Sequence, residues 1–193
     1  MQTRTAIRQY YRQCRRGLSN SEQQQASVRV HEQIAELMER APVKCIAAYL
    51  ANDGEVDLTP VIHHCWRHDI QVCLPVLHPF SPGNLLFLRY HSDSQMMANH
   101  YGIAEPALRC PDVVPLAHID LMLTPLVAFD EWGNRLGMGG GFYDRTLAAV
   151  ERHQYNTRVV GVAHDCQKAQ KLPIEAWDKP LQGIITPSVF LSF

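Results

Sequence analysis

Residues 135–145 read RLGMGGGFYDR and place four glycines within the five positions 137–141, between two arginines and beside an acid. Glycine reaches φ > 0 without a Cβ clash and lets another group approach the main chain closely. A run of unencumbered N–H groups that opens a helix makes an anion site, and phosphate is its natural occupant. Arg135 and Arg145 can add charge-assisted bonds to the same anion. The dinucleotide fingerprint is excluded, because from Gly137 its sixth position falls on Phe142, and neither GxxxxGKS nor GxxxxGKT occurs. Asp144 sits where the helix would begin, near Tyr143. Two readings stay open for it: a carboxylate favoured by the helix dipole, or a magnesium ligand, since magnesium takes one or two carboxylates together with phosphate oxygens.

Three further places carry groups capable of chemistry. Glu55 follows Gly54 in ANDGEVD, a loop after an apolar run, where an α/β sheet commonly opens its ligand crevice; the plain alternative is a solvated loop carboxylate. Tyr101 in YGIAEP offers a ring for stacking, or for simple packing. His164, Asp165 and Cys166 are adjacent, but neighbours on a strand point to opposite faces, which argues against a Cys/His nucleophile pair.

These groups need a scaffold. Ile7, Tyr11, Cys14 and Leu18 make one stripe of an amphipathic helix that leaves Arg4, Arg8, Arg12, Arg15 and Arg16 off it and stops at Gly17. Ser19 and Glu22 match a capping box, and Ala26, Val30, Ile34 and Leu37 continue as the core stripe of a second helix. KCIAAYL (44–50) reads as a buried strand; Thr59 and Pro60 then serve as N-cap and first residue of a helix through about Arg67. Further strands are expected at 71–77, 84–91, 157–164 and 182–187, with 119–130 as a central strand buried on both faces and YDRTLAAVERH as a helix. The stretch 92–118 is mixed and resists assignment. Strands alternating with helices predict a single layered α/β domain over residues 1–193, with a mostly parallel sheet flanked by helices.

Composition limits the possible partners. The chain has 193 residues, 46% hydrophobic and 19% charged, which suits one substantial core and excludes disorder. A net charge of −1 gives no broad basic surface for nucleic acid. No stretch approaches a membrane span, and the basic N-terminus lacks the apolar run of a secretion signal, so a cytoplasmic monomer acting on a small molecule is expected. The six cysteines form no CxxC pair or cluster, and most are expected to be small buried hydrophobes.

RLGMGGGFYDR, with YLANDGEVD before it and LPIEAWDKPL after it, resembles the signature of the 5-formyltetrahydrofolate cyclo-ligase (methenyltetrahydrofolate synthetase) family, in order along nearly the whole chain. The resemblance implies a Rossmann-like domain that couples ATP hydrolysis, with Mg²⁺, to closure of 5-formyltetrahydrofolate into 5,10-methenyltetrahydrofolate. It implies nucleotide contacts at Arg4 to Arg8 and at Arg135, Leu136, Gly137, Met138, Gly139, Gly140, Gly141, Phe142 and Tyr143. Reduced-folate contacts are implied at Leu50, Glu55 and Met138 to Phe142, and metal contacts at Asp144 and Asp178; Tyr101 is a candidate stacking platform for the folate. Arg4 stands where the family commonly has lysine, which keeps the charge and changes the donor geometry. Arg135 and Asp144 carry the catalytic roles in this reading. Phosphorylation of the formyl oxygen would turn it into a leaving group for attack by N10, so positioning and charge neutralisation suffice and no protein nucleophile is needed. Two other readings are a phosphate-binding isomerase or acyl-transfer enzyme that needs no ATP, and a nucleotide-binding regulatory module without turnover.

Overall fold

The computed structural model describes residues 3–193. Strand β1 (Cys45–Ala47) lies between β2 (Gln71–Leu77) and β6 (Leu121–Pro125), parallel to both. Strands β9 (Arg158–Val162) and β10 (Gly183–Ile185) extend the parallel set beyond β6. The edges are antiparallel, β3 (Leu85–Arg89) on β2 and β11 (Phe190–Ser192) on β10, giving a seven-stranded sheet in the order β11-β10-β9-β6-β1-β2-β3. The fold is therefore α/β with a mostly parallel sheet.

Alternation along β1 divides the core. Ile46 and Ala48 point into a cluster with Val30, Ile34 and Leu37 of α2 (Asn20–Arg40) and Val61, Ile62 and Cys65 of α3 (Thr59–Arg67). Cys45 and Ala47 point to the opposite face, onto Met122 and Leu147 of α4 (Phe142–Arg152). Both faces are thus covered, as a parallel sheet requires. The capping box of α2 forms as expected, with Ser19 Oγ accepting the Glu22 N–H and the Glu22 carboxylate accepting the Ser19 N–H. Helix α1 (Arg4–Arg16) packs Ile7 and Tyr11 against Ala128, Leu136, Ala169 and Leu172.

Several expectations are corrected. The apolar segment 119–130 is not one strand: after Pro125 the chain leaves the sheet, and β7 (Ala128–Phe129) pairs antiparallel with β8 (Arg135–Leu136). Its second half is hydrophobic because it supports α1. The N-cap of α3 is Leu58, and Thr59 is already helical; the Asp57 carboxylate, one residue before that N-cap, accepts both the Thr59 N–H and hydroxyl. Within 92–118 lies a hairpin of β4 (Met96–Ala98) and β5 (Ala104–Pro106). Three of the six cysteines, Cys45, Cys65 and Cys73, are buried; Cys14 and Cys166 are half-buried and Cys110 is exposed.

Candidate active site

In sequence order β2 follows β1 on one side and β6 follows on the other, so the sheet has its switch point between β1 and β6. Crevices open at the carboxyl ends of strands at such a point. A cleft of about 1030 Å³ lies there, lined by Tyr49, Leu50, Asn52, Asp53 and Glu55 after β1, by Leu74 to Leu77 of β2, and by Pro125 at the end of β6 with Leu126 and Val127 after it. Its other walls are α1, through Arg4, Arg8 and Arg15, and the glycine loop with the start of α4.

The glycine loop is shaped by two left-handed residues, Gly139 at φ 100° and Gly141 at φ 68°, the latter being the N-cap of α4. Its carbonyls are fastened from outside. Arg8 Nε donates to Gly137 O at 2.8 Å, and Arg145 donates to Gly140 O and, across the cleft rim, to Gly83 O, each at 2.5 Å. With the Gly137 and Gly140 carbonyls engaged in this way, the N–H groups at the helix start are the loop's remaining polar resource.

Cations gather around that loop. Arg135 is buried, with Nη2 on Asp144 Oδ1 at 2.5 Å. Its Nε is buried without a partner among the described residues. Burial lowers the Arg135 pKa, against the opposing pull of Asp144. Arg8 is likewise lowered, by burial and by the neighbouring charge of Arg4. Arg4 is raised by its hydrogen bonds to Asp178, at 2.5 and 2.9 Å. Asp178 Oδ2 also accepts the Glu175 N–H.

The structure brings both predicted metal residues, Asp144 and Asp178, to the same cleft. Each is bound to an arginine, and no group of three or more His, Cys, Asp or Glu side chains able to hold a metal occurs among the described residues. Asp144 lies in the first turn of α4, so its dipole-favoured reading also stands.

Glu55 is not a solvated loop carboxylate. Burial pushes it up to about 7, opposed by Arg15, whose Nη2 lies 3.6 Å from Glu55 Oε1. Tyr143, beside it in the cleft, is raised by burial and by the Glu55 charge. Tyr101 stands at the tip of the β4–β5 hairpin on the rim, exposed, with its ring edge-on to Phe142 at 6.4 Å. Leu50 and Met138 also line the cleft, Met138 exposed. His164 is buried against the loop that carries Glu55, its Nε2 3.2 Å from Gly54 O, and Cys166 belongs to the short turn that follows. They form no nucleophile pair.

Sequence reasoning missed Arg15, Asp53 and Trp177. Arg15 is fully buried, not off the helix stripe. Its spacing from Ile7 and Tyr11, two steps of four, put it on their face, and a charge there asks for a partner. That partner is Asp53, one residue before Gly54. Trp177 lines the cleft beside Asp178 and is 64% exposed; an exposed Trp at a rim is the kind of signal only the assembled surface gives.

Residues 1–187 match the model of the 5-formyltetrahydrofolate cyclo-ligase family. The chain is 50% identical over 180 residues to the 5-formyltetrahydrofolate cyclo-ligase of Escherichia coli strain K12, covering 92% of this chain and 96% of that protein. With the Haemophilus influenzae 5-formyltetrahydrofolate cyclo-ligase the identity is 45% over 184 residues, 95% of this chain and 97% of that protein. The solved NMR structure of Aquifex aeolicus 5,10-methenyltetrahydrofolate synthetase has a TM-score of 0.82 and 30% identity, covering 98% of this chain and 92% of that one. The match runs through every segment that lines the cleft, and the chain belongs to the 5-formyltetrahydrofolate cyclo-ligase family.

Proposed function

We propose that this cleft closes 5-formyltetrahydrofolate to 5,10-methenyltetrahydrofolate, coupled to conversion of ATP to ADP and phosphate in the presence of Mg²⁺, within a single-domain, monomeric cytoplasmic enzyme. The observation that carries the proposal is the buried Arg135 Nε, left without a partner on the wall where Arg4, Arg8 and the start of α4 converge. A buried unpaired donor is costly, and a triphosphate oxygen would satisfy it. ATP supplies the phosphoryl group that makes the formyl oxygen a leaving group for attack by N10. Arg8, Arg135 and the loop amides hold the phosphates and neutralise charge as it develops. Glu55, across the same cleft, accepts from the N–H donors on the pterin edge, while Leu74, Val76 and Leu126 exclude water from the reacting atoms.

Magnesium asks for one or two carboxylates and keeps several waters. Asp144 is the better placed, because it engages Arg135 through Oδ1 alone, whereas Asp178 holds Arg4 with both oxygens. Asp178 then acts chiefly by orienting Arg4.

Purified protein mixed with 5-formyltetrahydrofolate, ATP and Mg²⁺ is expected to develop the methenyl chromophore, and to release phosphate in equal amount. A non-transferable ATP analogue is expected to abolish product while folate still binds; product at full rate with the analogue would exclude the phosphorylation step. In the same assay Asp144→Asn is expected to lower turnover by about two orders of magnitude and to raise the magnesium needed for half-maximal rate. A titration unchanged by that substitution returns Asp144 to its role as a helix-start carboxylate.

A further inference from the structure

The loop that presents Glu55 is held in an unfavourable conformation by side chains outside the cleft's reacting groups. Asp53 has φ 55° and Gly54 φ 77°, so two consecutive residues are left-handed, one of them carrying a side chain. Such a turn persists only where its surroundings over-determine it. Here they do. Arg15 Nε donates to Asp53 O at 2.8 Å, its Nη2 to Asp53 Oδ2 at 2.8 Å, and its Nη1 to Leu126 O at 3.0 Å. Arg12 and Arg16 also pair with Asp53. Gln23 Nε2 donates to Gly54 O at 3.3 Å and to Arg15 O at 3.1 Å.

The fit leaves no slack. A Cβ on Gly54 would lie 3.2 Å from Arg15 O, so the turn is pressed against the end of α1. Burial works against the Asp53 charge, but its bonds to Arg12, Arg15 and Arg16 overcome that and hold it well below the usual carboxylate range. One guanidinium therefore ties together three segments: α1, the loop after β1 and the chain leaving β6. These are the two sides of the crevice and the helix that closes it.

We infer that Arg15 is a positioning residue for folate recognition: its fork on Asp53 O, Asp53 Oδ2 and Leu126 O sets the Asp53–Gly54 turn and thereby aims Glu55 across the cleft. The inference rests on Glu55 being a folate contact, as proposed above. Arg15 also stands 3.6 Å from Glu55 Oε1, an ion pair too long for a hydrogen bond, so it attracts the Glu55 charge directly but fixes its direction only through the loop. Nucleotide contacts arise from a different turn of α1, at Arg4 and Arg8, so a fault at Arg15 falls first on folate.

The test is steady-state kinetics with both substrates on Arg15→Met, Arg15→Lys, Asp53→Asn and Glu55→Gln, with folding checked by circular dichroism and thermal melting. Asn tolerates the left-handed region, so Asp53→Asn keeps the turn accessible and serves if Arg15→Met does not fold. Arg15→Met and Asp53→Asn are expected to raise the KM for 5-formyltetrahydrofolate about ten-fold or more, while the KM for ATP stays within about two-fold. Arg15→Lys keeps the charge and loses the fork; it is expected to fall between wild type and Arg15→Met. A KM for folate that stays at the wild-type value in folded Asp53→Asn and Arg15→Lys overturns the inference, as does a parallel change in both KM values. If Glu55→Gln itself leaves the folate KM unchanged, the reading of Glu55 as a folate contact fails, and the inference with it.

Discussion

A single carboxyl group shows how function and stability oppose each other at this site. Glu55 has an ordinary value of 4.5 and stands at about 7 in the fold, because burial outweighs the attraction of Arg15. Below about pH 4.5 the group is protonated in both the folded and unfolded chain and costs nothing. Between 4.5 and 7 the unfolded chain releases a proton that the folded chain keeps, so stability falls as pH rises through that window, reaching a cost of about 3 kcal/mol above it. In the function proposed above, the carboxylate form is nevertheless the one that would accept from a pterin's donors. Glu55→Gln is therefore expected to melt several degrees higher than wild type at pH 8 and to match it at pH 4.5, while its folate KM exceeds the wild-type value at pH 8 and approaches it at pH 4.5, where wild type is itself protonated. An equal shift in melting temperature at the two pH values would show that the carboxyl carries no such penalty.

At the scale of elements, the glycine loop does two separable jobs. Gly139 and Gly141 lie at positive φ, so any side chain there strains the backbone whatever the space around it. Gly137 is different: a Cβ on it would meet only Arg135 Nη1, at an ordinary 3.5 Å. Gly137→Ala is expected to melt within about a degree of wild type and to raise the KM for ATP at least several-fold, since in the proposed site the methyl would stand where a phosphate approaches. Gly139→Ala is expected to lose about 1 kcal/mol or more of stability as well. Should Gly137→Ala keep full activity, the loop serves backbone geometry alone. The contrast also marks what was legible in the sequence. Glycine spacing, the Ser19–Glu22 box and the stripe of α2 are local, so each could be read from a few neighbours. The antiparallel edges β3 and β11 and the exit of β7 from the sheet depend on partners chosen over long separations, and hydrophobicity alone made 119–130 look continuous. The same limit hid the site's pairings. Arg4 meets Asp178 174 residues away, and Arg15 meets Asp53 across 38, so the sequence pattern shows neither pairing: Arg4 and Asp178 are expected there at a nucleotide and a metal, and Arg15 off the helix stripe.

For the whole molecule, the cleft is where the first helix and a segment late in the chain are joined. Helix α1 reaches it from the N-terminal side through Arg4 and Arg8, and Asp178 and the loop around it reach it from the C-terminal side. The net charge is only −1, so attraction of an anion must come from this local cluster and not from the molecule's overall field. Within that cluster Arg8 feels both burial and the charge of Arg4, and its hydrogen bond runs to the neutral Gly137 carbonyl. A triphosphate would relieve the repulsion and bridge α1 to α4. A ligand that binds only the folded state at a hundred times its Kd adds about 2.7 kcal/mol, which for a chain of this length raises the melting temperature by several degrees. Arg8→Gln is accordingly expected to melt close to wild type when alone, to lose most of the rise that ATP produces, and to keep the rise produced by 5-formyltetrahydrofolate. Differential scanning calorimetry with each ligand separately makes the comparison. An ATP-induced rise of wild-type size in Arg8→Gln would remove α1 from the nucleotide site, and an equal loss of both rises would show that the substitution disturbs the cleft as a whole, leaving the division of α1 between a nucleotide turn and a folate turn without support.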